Sequence, residues 1–342
     1  VDVERQEMLN LDEDRFLAIQ SGAVAQAAPI RAAVRELQTA GLRNVYFLGA
    51  GGAGILMQPA ADLIRRESTV PCFLEYPAEV VMQGAPNLGT GSLVVLPSLS
   101  GTTKEAVEII DYAHAAGAKV LAMTGHGDSP VAKAADYSIV NFAADDTSSE
   151  SFYIQSLLLA KAVIGNDADY DRLVAGLAAL PKALLEAKRQ FEPRAAELSV
   201  HFADHENFHI FTSAGNTWAE AYYFAMCILE EMQWIRTRPV HSSDFFHGTL
   251  ELVEKGVSVI AFKGEDATRG VVERVEAFAP QVTDSLIVID TADFALAGLD
   301  AETRALVSPA VMATVCERLS VYIERERRHP LTVRRYYRRI AY

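Results

Sequence analysis

The stretch SLVVLPSLSGTTKEAVEIIDYAHAAG, residues 92–117, decides the fold. It opens on a short run of apolar residues, continues through a turn holding Ser98, Ser100, Gly101, Thr102 and Thr103, and ends with apolar residues at helical spacing. That order predicts a buried parallel strand, a polar turn and a crossover helix. Similar runs flank it: VYFLGAG (Val45–Gly51), CFLEY (Cys72–Tyr76), KVLAMTG (Lys119–Gly125) and YSIVNF (Tyr137–Phe142). Helical patterns separate them, so the expected class is α/β with a parallel sheet covered on both faces. The pattern restarts at FHIFTSAGN (Phe208–Asn216), VSVIAFKGEDATRGVVERV (Val257–Val275) and SLIVID (Ser285–Asp290). Strand matches at offsets of 163 and 165 residues suggest an internal duplication. The expected organisation is a helical segment 1–40 stopping at Gly41, an α/β domain 41–167, a helical connector 168–204, and a second α/β domain 205–342 with a basic tail.

Composition limits what such a chain can do. Of 342 residues, 50% are hydrophobic and 22% charged, enough for a sizeable core and too apolar for disorder. The net charge of −14 argues against a nucleic-acid partner, since phosphates repel an acidic surface. Three cysteines (Cys72, Cys227 and Cys316) form neither a disulfide framework nor a metal spacing. The opening VDVERQEMLNLDEDR is acidic and lacks the apolar core of a signal peptide. No apolar run approaches the roughly 20 residues of a membrane span. A cytoplasmic protein without membrane or metal is expected.

Four stretches could carry chemistry. One hydroxyl suffices to cap a helix. The four in Ser98–Thr103 exceed that need, and hydroxyls with open amides at a helix start suit a phosphate. Gly49-Ala-Gly51-Gly52-Ala-Gly54 fits G-x-G-x-x-G, with Glu75 placed for a ribose, so a dinucleotide-dependent dehydrogenase is a rival reading. Those glycines equally allow close approach of another ligand or of the next helix. His205-Glu206-Asn207-Phe208-His209 has the letters of a zinc-protease helix, but His209 enters a strand-like run, so a polar turn is the better reading. Finally, WAEAYYFAMCILEEMQWI (Trp218–Ile235) reads as one helix. Of its adjacent Glu230 and Glu231 at most one faces the core side, where a carboxylate is a candidate base. RTRPVHSSDFFHGTLE (Arg236–Glu251) reads as a polar loop in which His247 is expected in a pocket. The tail ERERRHPLTVRRYYRRIAY holds seven arginines, suited to covering an anionic ligand.

Together PSLSGTTKEAVE (Pro97–Glu108), TGHGDSPVAKAADYSIV (Thr124–Val140), DDTSSESF (Asp145–Phe152), EEMQW (Glu230–Trp234), SSDFFHGTLELVE (Ser242–Glu254) and the tail make the chain resemble a double SIS-domain (sugar isomerase) phosphosugar protein of the fructosamine 6-phosphate deglycase kind. The resemblance implies two flavodoxin-like domains, each with a five-stranded parallel sheet between helices. It implies phosphate on Ser98, Ser100 and Thr103, and sugar against Gly49, Gly51, Gly52, Thr147, Ser148, Ser149 and Glu150. It further implies Glu231 as base and His247, 16 residues on, as ring-opening acid/base. No cofactor is implied. A homodimer is, with the active site at the subunit interface and His247 able to come from either subunit. Aminotransferring relatives add a glutaminase domain and a C-terminal lysine, and this tail of arginines and tyrosines argues against that activity. The expected reaction is hydrolysis of a fructosyl-amino acid 6-phosphate. Aldose–ketose isomerisation and non-catalytic phosphosugar binding are the alternatives.

Overall fold

The computed structural model describes residues 8–144, 146–204, 207–337 and 339–340. The His205-Glu206 pair, Asp145 and the last two residues of the tail therefore lie outside the described residues. The chain divides into two compact units. One comprises residues 17–181 and 298–310, the other 182–297 and 311–342 with the chain start through Phe16.

The first unit holds β1 (Asn44–Leu48), β2 (Cys72–Glu75), β3 (Ser92–Pro97), β4 (Lys119–Thr124) and β5 (Tyr137–Val140). They form one parallel sheet in the order β2-β1-β3-β4-β5. Every residue of β1 and β3 is buried, as a sheet covered on both faces requires, whereas β2 and β5 are partly open edges. The helix Lys104–Ala115 lays Ala106, Ile109, Ile110 and Ala113 onto Val94, Leu96 and Val120. Full burial of a side chain the size of Ile109 contributes about 1.5–3 kcal/mol. The helix Ala27–Thr39 presents Ile30, Ala33, Val34 and Leu37 to the core and ends where Gly41 turns left-handed (φ +93°).

The second unit holds β6 (His209–Ser213), β7 (Thr237–His241), β8 (Ser258–Lys263) and β9 (Leu286–Asp290), all parallel, in the order β7-β6-β8-β9. The strand order repeats that of the first unit, which accounts for the offset matches in the sequence. Two expectations are corrected. The second sheet has four strands among the described residues, not five. After β9 the Asp290 side chain accepts from Ala292 N to start a turn, and the chain then enters the helix Ala301–Arg327 without another extended run. In addition, the polar loop from Arg236 contains β7. In this edge strand only Val240 is buried, and it includes Pro239, so it lacks the continuous apolar run of a central strand.

The helix Ala301–Arg327 is the one helix among the described residues long and apolar enough to cross a membrane, and 89% of its most apolar window is buried. Lys188, Glu317 and Arg318 form a buried cluster: Lys188 Nζ donates to Glu317 Oε2 at 2.6 Å and Arg318 Nη2 to Oε1 at 2.5 Å. The three cysteines are buried and form no disulfide, and burial pushes the thiols of Cys72 and Cys227 up to about 12, so neither is a nucleophile.

Candidate functional site

In an open parallel sheet, ligands gather beyond the carboxyl ends of the strands where the order reverses. In the first unit that point lies between β1 and β3, and both turns singled out in the sequence sit there.

Ser98 continues β3, its N–H donating to Met123 O at 2.9 Å. Its hydroxyl is buried and has no hydrogen-bond partner. An unpaired buried hydroxyl costs about 1–3 kcal/mol, which a ligand oxygen would recover. Gly101 follows with φ +63°, and a Cβ there would lie 2.1 Å from Ser129 Oγ, so only glycine fits. Ser100 Oγ accepts from Thr102 Oγ1 at 3.1 Å. Thr103 caps the helix Lys104–Ala115 in extended conformation, but its side chain makes no capping bond. The turn thus combines an orphaned hydroxyl, an uncommitted Thr103 side chain and the open amides of a helix start.

Opposite it, Gly49 and Gly54 fit against one another. A Cβ on Gly54 would lie 2.4 Å from Gly49 O. These two glycines let the helix Gly51–Ile55 close onto the strand end. Gly51 takes φ +59° and has open space where a side chain would be, and Gly52 is half-buried. Thr147, Ser148, Ser149 and Glu150 are all buried at the start of the helix Ser148–Ile164. Thr147 Oγ1 is engaged with Ala144, accepting from its N–H at 3.1 Å and donating to its carbonyl at 3.2 Å. Gln20, which nothing in the sequence marks, donates from Nε2 to Thr147 O at 3.1 Å and leaves Oε1 buried and unpaired. Only burial distinguishes it from the many surface glutamines of amphipathic helices.

The second unit carries Glu231 and His247. The helix expected over Trp218–Ile235 is present from Trp218 to Gln233, but Phe224–Glu230 is wound as a π-helix, a feature frequent at functional sites. Glu230 is exposed and accepts from Thr237 Oγ1 at 2.6 Å. Glu231 is half-buried and accepts from Arg334 Nε at 2.7 Å. Trp234 closes the helix in left-handed conformation (φ +57°), with Ile235 N donating to Leu229 O at 3.0 Å. A non-glycine residue there costs about 1–2 kcal/mol. The indole is held in place by the His329 ring, 4.3 Å between centroids, and by the Arg335 guanidinium 4.0 Å above it. Glu231, Trp234, Arg334 and Arg335 line a cavity of about 620 Å³. The tail thus lines the cavity that holds Glu231, and Arg334 is the partner of Glu231 that sequence spacing could not name.

His247 does not lie in that cavity, and it is exposed rather than lodged in a pocket. Phe245 is fully buried, and Phe246 packs on Phe278 and under Arg274. With both phenylalanines turned inward, the next residue projects outward. His209, the last letter of the zinc-like motif, opens β6. It is buried without a partner on either ring nitrogen, and burial lowers its pKa to about 4. Among the described residues no group of histidines, cysteines and carboxylates could hold a metal.

The geometry alone leaves a phosphate site and a dinucleotide site both open, because each uses this switch point. The comparisons with known families favour the phosphosugar reading. Residues 40–164 match the SIS domain. The chain thus carries a SIS domain over that stretch. It is 29% identical to the fructosamine deglycase FrlB of Bacillus subtilis, over 92% of this chain and 97% of that protein. It is 28% identical to the fructoselysine 6-phosphate deglycase of Escherichia coli, over 90% and 89%. A Bacillus subtilis structure solved as a phosphosugar isomerase superposes with TM-score 0.86 at 28% identity, covering 94% of this chain and all of that one. These relatives support a phosphosugar-processing enzyme of deglycase type.

Proposed function

We propose that the SIS-domain protein hydrolyses a fructosyl-amino acid 6-phosphate to glucose 6-phosphate and the free amino acid, as a cytoplasmic homodimer with its active site at the subunit interface. The observation that carries the anchoring step is the unpaired, buried Ser98 hydroxyl in the turn ending β3. The similarity to deglycases over nearly the whole chain carries the choice of reaction.

In this reading Ser98, Ser100 and Thr103 take the phosphate, and the sugar lies against Gly49, Gly51, Gly52 and the segment Thr147–Glu150. Binding energy from the distant phosphate orients C1 and C2. His247 moves the proton that opens the ring, and its exposure suits delivery to a neighbouring subunit. Glu231 takes a proton from C1, and the C2 carbonyl becomes the hydroxyl of an enaminol. Return of a proton to C2 leaves an imine between C1 and nitrogen. Water adds to C1, the C–N bond breaks, and the amine leaves with a proton. No step needs an oxidant or a metal.

The test is incubation with a panel of fructosyl-amino acid 6-phosphates. Equimolar glucose 6-phosphate and free amino acid are expected. Interconversion of hexose phosphates without amine release would instead establish an isomerase, which the structural neighbour favours.

A further inference from the structure

The tail from His329 onward is fixed to the end of the Glu231 helix by specific bonds. Gln233 Nε2 donates to His329 O at 2.7 Å, and Arg327 Nη2 donates to Gln233 O at 3.1 Å. Two adjacent arginines are thereby delivered to one cavity with different duties. Arg334 is half-buried and spends its Nε on Glu231. Arg335 is exposed and lies over the Trp234 ring, 4.0 Å from its centroid. A guanidinium over an aromatic face keeps its N–H donors for a second partner. No carboxylate pairs with Arg335 among the described residues. An immobilised cation with unspent planar donors, in a cavity of about 620 Å³, is matched to an incoming carboxylate.

We propose that Arg335, on its Trp234 platform, is the specificity-determining residue that receives the carboxylate of the substrate's amino-acid portion, while Arg334 positions Glu231. The proposal rests on the deglycase reading for what the ligand is. If Glu231 takes the proton from C1, C1 lies within hydrogen-bond reach of its carboxylate. The amino-acid nitrogen is bonded to C1, so the amino-acid portion must extend from beside Glu231. The cavity that Glu231 shares with Trp234 and Arg335 is where such a group would go. A bare hexose phosphate has nothing to offer Arg335, and the enzyme would thereby favour glycated amino acids over ordinary phosphosugars.

The test uses two probes that cannot react, because the C2 carbonyl is reduced to an alcohol. One is the glucityl-amino acid 6-phosphate and the other is its counterpart lacking only the carboxylate. Calorimetry on the wild-type protein is expected to show about 10- to 100-fold tighter binding of the carboxylate probe. Arg335→Gln should bind both probes alike, at the affinity of the carboxylate-free one. Equal binding of both by the wild type overturns the proposal, as does an Arg335→Gln protein weakened equally towards both. Turnover of the unreduced parent compound is measured separately. Failure of turnover with the preference intact sinks the deglycase reading alone, and turnover without the preference sinks the Arg335 assignment alone.

Discussion

Both units make the same turn after their first strand. Ala50-Gly51 and Ala214-Gly215 share an extended alanine followed by a left-handed glycine, with φ +59° at Gly51 and +61° at Gly215. At Gly51 the space where a side chain would project is open. At Gly215 it is filled, a built Cβ falling 2.3 Å from Asp266 Oδ2. Asp266 accepts from Asn216 N at 2.9 Å and from Thr268 N at 2.8 Å. The second unit thus answers its own turn amides with a built-in anion, where the first leaves Ser98 unpaired. Around that plug Arg269 makes two bonds to Asp290, at 2.9 and 2.7 Å, and Lys263 is tied to Glu273 and Glu276. The lesson is that a repeated strand-turn frame does not repeat a site. One carboxylate at the tip of the third strand occupies in the second unit the turn amides that the first unit leaves open.

In the proposed reading this contrast gives anchoring to the first unit and chemistry to the second, and variants can break it. The largest effect is expected at Glu231. Glu231→Gln should lower kcat about 100-fold or more with KM little changed, read from initial rates of glucose 6-phosphate release. A variant with near-normal kcat would take the chemistry away from the second unit. Next comes Ser98→Ala, which removes the unpaired hydroxyl. A rise in KM of about tenfold is expected, with thermal stability unchanged or slightly higher, since an orphaned buried hydroxyl is lost. The corresponding change in the other unit should do the reverse. Asp266→Ala is expected to destabilise the fold by about 1–3 kcal/mol in a denaturant titration, because two amides lose their acceptor, while phosphosugar affinity stays unaltered. A protein losing affinity with Asp266→Ala and not with Ser98→Ala would invert the assignment.

The smallest effect concerns the opposite ends of the same strands. Asn44 of β1 and His209 of β6 pair in register with Ser92 and Ser258, and both are buried with unpaired polar atoms. Only the histidine titrates. Its folded pKa of about 4 is below the ordinary 6.5, so the unfolded chain takes up a proton that the folded chain refuses. The stability it contributes is complete above about pH 6.5 and is lost as pH falls towards 4. His209→Asn, which copies the first unit, should flatten the dependence of unfolding free energy on pH in that window. An unaltered slope would mean that other groups govern it.

The strands β1, β3, β4, β6 and β8 were legible in the sequence because central parallel strands are buried on both faces and spell unbroken apolar runs. The edge strand β7 was not, because half-open residues around Pro239 resemble a loop. The turn Ser98–Thr103 was legible because four hydroxyls fall within six residues. The partners Gln20, Arg334 and Arg335 were not, since each reaches its neighbour across a distance in the chain that no local pattern records. The winding of Phe224–Glu230 was equally hidden, as an α- and a π-turn carry the same apolar residues.

The order of strands and turns followed from hydrophobic periodicity and glycine placement, because burial on two faces and left-handed backbone each constrain residue type locally. Which crevice stays open, and which arginine meets which carboxylate, depended on side chains converging from remote segments. Ser98 lacks a partner and Asp266 has two only because of where the folded backbone puts their neighbours.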